Sequence, residues 1–137
     1  MIIGYHNIMA GFINFNQQYF GGELPTPSFK IRHSYRTLGY FHCDLDGYTV
    51  IEPTIEISDY YDYTESQFRD ILVHEMIHYY LVYKGKDMAC KHGKEFKKMS
   101  NDFNFRYGMN ITSTIDLSPY HIKEGNSNFM FKLCTFF

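Results

Sequence analysis

The sequence predicts a small α+β fold, a short antiparallel sheet packed with three main helices. Three observations predict it. Apolar residues recur at helical spacing in three separate stretches, and short alternating runs with turn signals fill the interval between the first and the second. The second helical stretch also carries the pattern His-Glu-x-x-His at His74, Glu75 and His78. At 137 residues the chain is expected to be one domain with a real core, spanning about 5–115, and an irregular tail over 116–137. Thirteen Tyr and thirteen Phe with no Trp make that core aromatic rather than aliphatic.

The first helix is expected over 5–20, where Ile8, Phe12, Phe15 and Tyr19 share a face and Gly21 and Gly22 offer a stop. Pro25 and Pro27 make the next residues an extended connector. Alternation predicts strands over 29–33 and 37–42, and Asp46-Gly47 reads as a hairpin turn. Strands 48–51 and 54–57 continue the sheet, with Pro53 between them marking an edge or a bulge. Thr64 and Gln67 form a capping box that opens the second helix, over 64–83. Its stripe of Phe68, Leu72, Met76, Tyr79 and Tyr83 should face the core, and Gly85 ends it. A third helix, near 92–107, turns Phe96, Met99 and Phe103 inward and stops at Gly108. Beyond Asn110 one further strand is expected, over 129–133.

A net charge of −2 gives no global electrostatic case for nucleic-acid binding. Lys84, Lys86, Lys91, Lys94, Lys97 and Lys98 nevertheless crowd one segment. A solvated face is the ordinary explanation, and a local patch for weak anion or DNA contact is the other. Cys43, Cys90 and Cys134 are widely spaced and form no Cys-x-x-Cys pair, so buried free thiols in a reducing compartment are expected. The first residues lack the pattern of a signal peptide and no apolar run approaches a membrane span, so a cytoplasmic protein with no membrane partner is expected.

Two histidines four apart on a helix sit one turn above each other on the same face. His74 and His78 can therefore both reach one zinc ion at roughly 2.0–2.1 Å. Glu75 then projects beside the metal, where it can take a proton from an activated water. The alternative is a structural helix whose histidines make ordinary hydrogen bonds. Both histidines lie off the axis of the apolar stripe, toward Ile71, which leaves them facing a cleft while the stripe packs inward. The chemistry implied is hydrolysis, most often of a peptide bond. The order helix, strands, metal helix, second helix is that of a small zincin-like metalloprotease core, in which a sheet edge, at 38–41 or 54–57 here, pairs with an extended peptide.

Catalytic zinc needs a third protein ligand and an open position. His92, in Lys91-His92-Gly93-Lys94-Glu95-Phe96, can fold back against the metal helix; Asp87 and Glu95 compete, and His42 and His121 are more remote.

The chain resembles the SprT-like zinc metallopeptidase family. The matching segments are Tyr19-Phe-Gly-Gly-Glu-Leu-Pro-Thr-Pro, Leu38-Gly-Tyr-Phe, Ile55-Glu-Ile-Ser, Leu72-Val-His-Glu-Met-Ile-His-Tyr-Tyr-Leu, His92-Gly-Lys-Glu-Phe and Gly108-Met-Asn-Ile-Thr. His-Glu-Met-Ile-His with a downstream His-Gly-x-Glu-Phe is the specific part. The resemblance implies His74, His78 and His92 as zinc ligands, Glu75 as general base, one zinc per chain, and a protein or peptide substrate, with DNA-associated proteins among the candidates. Many members carry a four-cysteine zinc ribbon after the core, where this chain has Cys134 alone, so either this member lacks that module or the sequence stops short of it. Tyr79, Tyr120 and His121 are candidate donors to a developing oxyanion. Two rivals to a metalloendopeptidase are a non-proteolytic zinc amidohydrolase and a non-enzymatic DNA- or transcription-associated protein with structural zinc.

Overall fold

The computed structural model describes residues 1–126 and 134–136. Helix α1 (Tyr5–Tyr19) starts after Gly4, whose N–H donates to the Asn7 side chain at 3.0 Å, and buries Ile8 and Phe12. The Asn16 side chain both donates to the Leu24 carbonyl, at 2.9 Å, and accepts from its N–H, at 3.2 Å. These paired bonds hold the proline connector extended as it leads into the sheet.

Strands β1 (Ser28–Arg32), β2 (Gly39–Asp46) and β3 (Thr49–Ser58) form one sheet in the order β1-β3-β2. The α+β class stands, but the sheet is mixed and not antiparallel as expected. β2 and β3 are an antiparallel hairpin, whereas β1 runs parallel to β3 from Ser28↔Thr54 to Arg32↔Ser58. The reason is burial. β3 carries Ile55 and Ile57, both fully buried, and takes the centre, where it is paired on both sides. Residues 33–38 therefore carry the chain past the place that β3 fills.

The two strands expected over 48–51 and 54–57 are one. Between the pairs His42↔Thr54 and Asp44↔Ile51, Cys43 stands opposite both Glu52 and Pro53, which is a β-bulge. Glu52 adopts φ +50° there, and Pro53 falls where the ladder is already interrupted, so its missing N–H breaks nothing. The hairpin turn also lies one residue later than expected, at Gly47 and Tyr48, because Asp46 pairs with Thr49. Gly47 supplies the positive φ, +63°, that this turn demands.

Helix α2 (Glu65–Tyr83) opens with the expected capping box: the Gln67 N–H donates to Thr64 Oγ1 at 3.2 Å, and the Thr64 N–H to Gln67 Oε1 at 2.9 Å. It packs against β2, β3, α1 and α3. A helix so enclosed is apolar nearly all round, and Leu72, Val73, Met76, Ile77 and Val82 are fully buried. Tyr83 departs from the expected inward stripe and is 40% exposed, since it sits in the last turn beyond that packing. Helix α3 (Lys94–Tyr107) begins two residues later than expected, after Gly93, buries Phe96, Ser100 and Phe103, and ends at Gly108 in the left-handed region.

The tail is more regular than expected. β4 (Tyr61–Asp62) pairs with β6 (His121–Ile122), and β5 (Thr114–Asp116) with β7 (Cys134–Phe136). Leu117 is buried, and the Asn126 side chain donates to the Tyr60 carbonyl at 2.7 Å. Those contacts tie the segment after α3 back to the strand before α2. The strand expected over 129–133 lies outside the described residues. Among the described residues no helix is long and apolar enough to cross a membrane.

The central place of α2 sets an expectation for stability. Leu72→Ala should cost about 2–5 kcal/mol, and Thr64→Ala, which removes the cap alone, about 1 kcal/mol. Urea unfolding measures both, and similar small losses would contradict a core built around α2.

Candidate metal centre

His74, Glu75 and His78 occupy one stretch of α2 with exposures of 0%, 1% and 5%. His92 comes from the loop before α3 and is half-buried. Several bonds shape that loop: the Lys86 and Asp87 N–H groups both donate to the Leu81 carbonyl, at 2.7 and 3.2 Å. The Lys91 N–H donates to the Asp87 carboxylate at 3.1 Å. Asp87, a competitor for the third ligand, is thus a brace of the loop that delivers His92. Glu95, the other competitor, lines a separate depression with Lys86, Lys98 and Asp102. His42 lies beside Glu56, Nε2 to Oε2 2.9 Å, and His121 is on β6.

Among the described residues, the group whose donor atoms converge as a metal site requires is His74, His78 and His92, with those atoms all within 4.8 Å of one another. Nε2 of His74 and Nε2 of His92 are 3.1 Å apart. Two nitrogens bound to one tetrahedral zinc at roughly 2.0–2.1 Å would be separated by roughly 3.3 Å, so the spacing and the all-imidazole donor set fit that ion. Phe96, one helical turn after His92, lies beneath all three rings, with centroid distances of 4.7, 4.6 and 4.8 Å to His74, His78 and His92. This apolar floor fixes the imidazoles by packing.

A cleft of about 300 Å³ opens beside the histidines, lined by Arg32, Thr37, Tyr40, Phe41, Glu75, His78, Cys90 and His92. Its far wall is the start of β2, whose outer edge is unpaired among the described residues. Burial pushes the Glu75 carboxyl well above the usual carboxylate range. Among the described residues its Oε2 has no hydrogen-bond partner. A polar atom left so in the interior is costly without a partner.

The expected oxyanion donors are not brought to this cleft. The Tyr79 hydroxyl donates to the Pro25 carbonyl at 2.7 Å, and its ring stacks on Phe41 with centroids 5.2 Å apart. Tyr120 packs edge-on against Tyr61 and Tyr63, and His121 pairs with Asp62 across β4 and β6. All six lysines are exposed and none lines the cleft. Lys84 is engaged with Glu23, Nζ to Oε1 2.6 Å. Sequence reasoning did not single out Arg32, Thr37 or Tyr40 as cleft walls, and treated Phe96 as core alone. The spacing of Phe96 four residues after His92 was a usable signal for its place under the site; nothing in the sequence marks Arg32.

An α+β core that converges three imidazoles beside a buried carboxylate, at the foot of an open cleft, has the architecture of a zincin-like metalloprotease. The chain belongs to the SprT-like family, whose model matches residues 8–121. It is similar to the human DNA-dependent metalloprotease SPRTN, with 32% identity over 114 residues, covering 77% of this chain and 22% of that protein. The chain thus spans about a fifth of the length of this relative.

The packing of Phe96 generates a prediction. Phe96→Ala and Phe103→Ala should each cost about 3–5 kcal/mol of stability. Phe96→Ala alone should also weaken zinc binding, by tenfold or more on the order of a lost supporting contact, as read by competition with a chromogenic chelator. Equal affinity in the two variants would show that Phe96 does not order the histidines.

Proposed function

We propose that this chain is a zinc-dependent metalloendopeptidase of one SprT-like domain, hydrolysing peptide bonds of protein substrates. The observation that supports it most is the convergence of His74, His78 and His92 next to the buried Glu75. In this proposal the three histidines hold one zinc ion and Glu75 is the general base. Bound zinc supplies Lewis acidity, lowering the pKa of a water toward ~7 and polarising the carbonyl under attack.

The chain's own residues do the rest. An extended substrate lies along the unpaired edge of β2, where backbone N–H and C=O groups can pair with it and bring a peptide carbonyl to the foot of the cleft. Glu75 accepts the proton of the attacking water and returns it to the leaving amine. Burial raises the proton affinity of the Glu75 carboxylate, which makes it a stronger base toward water than an exposed carboxylate. Free Cys43 and Cys90 agree with a reducing, cytoplasmic setting.

The cleft opens along a strand, which favours a peptide over the compact substrate of an amidohydrolase. A non-enzymatic zinc protein would have no use for a base beside an open site. DNA-associated proteins are candidate substrates, because the human relative is described as DNA-dependent. The exposed lysines on α3 and the loop before it provide a weak DNA contact at most.

His74→Ala, His78→Ala and His92→Ala should each lose most of the bound zinc, measured by metal analysis, and full zinc in His92→Ala would remove that residue from the site. Glu75→Gln should keep zinc while hydrolysis of an unfolded protein falls roughly 10²–10⁴-fold. An unchanged rate would contradict the mechanism, and absence of cleavage by the zinc-loaded wild type would favour the non-enzymatic rival.

DNA binding, in turn, should be weak and should decline steeply between ~50 and ~200 mM salt, because lysine–phosphate contacts release counterions. Changing Lys84, Lys86, Lys91, Lys94, Lys97 and Lys98 to Gln should abolish it. Tight, salt-insensitive binding, or binding indifferent to those lysines, would place the contact elsewhere.

A further inference from the structure

We propose that Gly39 is a positioning residue for Glu75: its missing side chain forms the slot in which the Glu75 carboxylate is held. The role rests on the peptidase function proposed above.

Glu75 is 1% exposed, and its Oε2 makes no hydrogen bond to the protein among the described residues. None of these residues bonds that end of the carboxylate, so the protein's hold on it is by packing. The packing partner is the first residue of β2. A Cβ added to Gly39 would stand 2.8 Å from Glu75 Oε2, 3.1 Å from Cγ and 3.2 Å from Cδ. The first distance is inside the van der Waals limit, and the other two are tighter than ordinary carbon contacts.

Backbone conformation does not account for a glycine here. Gly39 is not among the residues with positive φ, and it pairs with Ile57 in regular antiparallel register. Glycine in a strand is disfavoured, by roughly 0.5–1 kcal/mol relative to alanine. What the position needs is space, and the space is filled by Glu75.

The surroundings determine what moves if the slot is filled. Leu38 is fully buried and its carbonyl accepts the Ser58 N–H at 2.8 Å, so the strand is held from behind. Helix α2 is enclosed by the sheet, α1 and α3. The Glu75 side chain is the soft element between these two fixed walls. A methyl at residue 39 displaces the carboxylate from the reacting atoms and leaves the histidines, on other faces of the site, where they are. Misplacement of a reacting group by about 1 Å costs on the order of 10²-fold in rate.

The experiment combines kinetics with a stability cycle. For the zinc-loaded chain acting on an unfolded protein, Gly39→Ala should lower kcat roughly 10–100-fold, with KM and zinc content close to wild type. In metal-free protein Gly39→Ala should lower the melting temperature when residue 75 is Glu. In a Glu75→Ala background, which removes all three contacting atoms, the same substitution should cost nothing or stabilise the strand. Equal losses in both backgrounds, or a wild-type kcat in Gly39→Ala, would overturn the proposal. A wild-type chain that hydrolyses nothing would sink the peptidase function instead, and the melting-temperature coupling would still decide whether residue 39 holds Glu75.

Discussion

Helix α2 takes two imidazoles and a carboxylate out of water within about one turn, in the most enclosed helix among the described residues. Such a placement has to be compensated, because buried polar groups without partners cost about 1–3 kcal/mol each and buried charges more. The surrounding structure supplies the compensation in an unusual form. His92 is brought back across eight residues of loop to lie against His74, and Phe96 closes the floor under all three rings. The proposed cation would complete the arrangement chemically, since each imidazole would then direct a lone pair at a partner suited to it.

The sheet serves the same centre from the other side. β3 is buried against α2 and holds β2 in register, so that β2 presents along the cleft an edge unpaired among the described residues, and its first residue against Glu75. Beyond the bulge at Cys43 the distal part of the hairpin carries exposed Tyr48 and Leu45. Rigid elements thus form both walls, as expected where a small displacement of the base is costly in rate.

Much of this was legible in the sequence, for local physical reasons. The capping box at Thr64 and Gln67, the helical spacing of His74 and His78, and the stop at Gly108 depend on residues within a few positions of each other. Non-local choices were not legible. Nothing near Phe29 or Ile31 announces that β1 will lie parallel to β3, because that depends on which strand wins the centre by burying Ile55 and Ile57. Pro53 signals an edge strand or a bulge; β3 is central, so the bulge is what forms, and the strand continues through it because the broken ladder absorbs the missing donor. Tyr79 was drawn from the right helix but faces Pro25 and Phe41; helical spacing alone put it one residue from His78 and so about 100° round the helix from it. The glycine opposite Glu75 left no local signal, because its importance lies in what another element places against it.

His74, His78 and His92 are proposed to hold one zinc ion with a position left open toward the cleft. Diffraction from crystals grown with zinc, recorded at the zinc absorption edge, tests it without relying on any substrate. The expected result is a single anomalous peak within roughly 2.0–2.1 Å of one nitrogen from each of the three histidines, with solvent as the remaining neighbour. A peak that excludes His92, or one closed off by a fourth protein ligand such as Cys90, would contradict it.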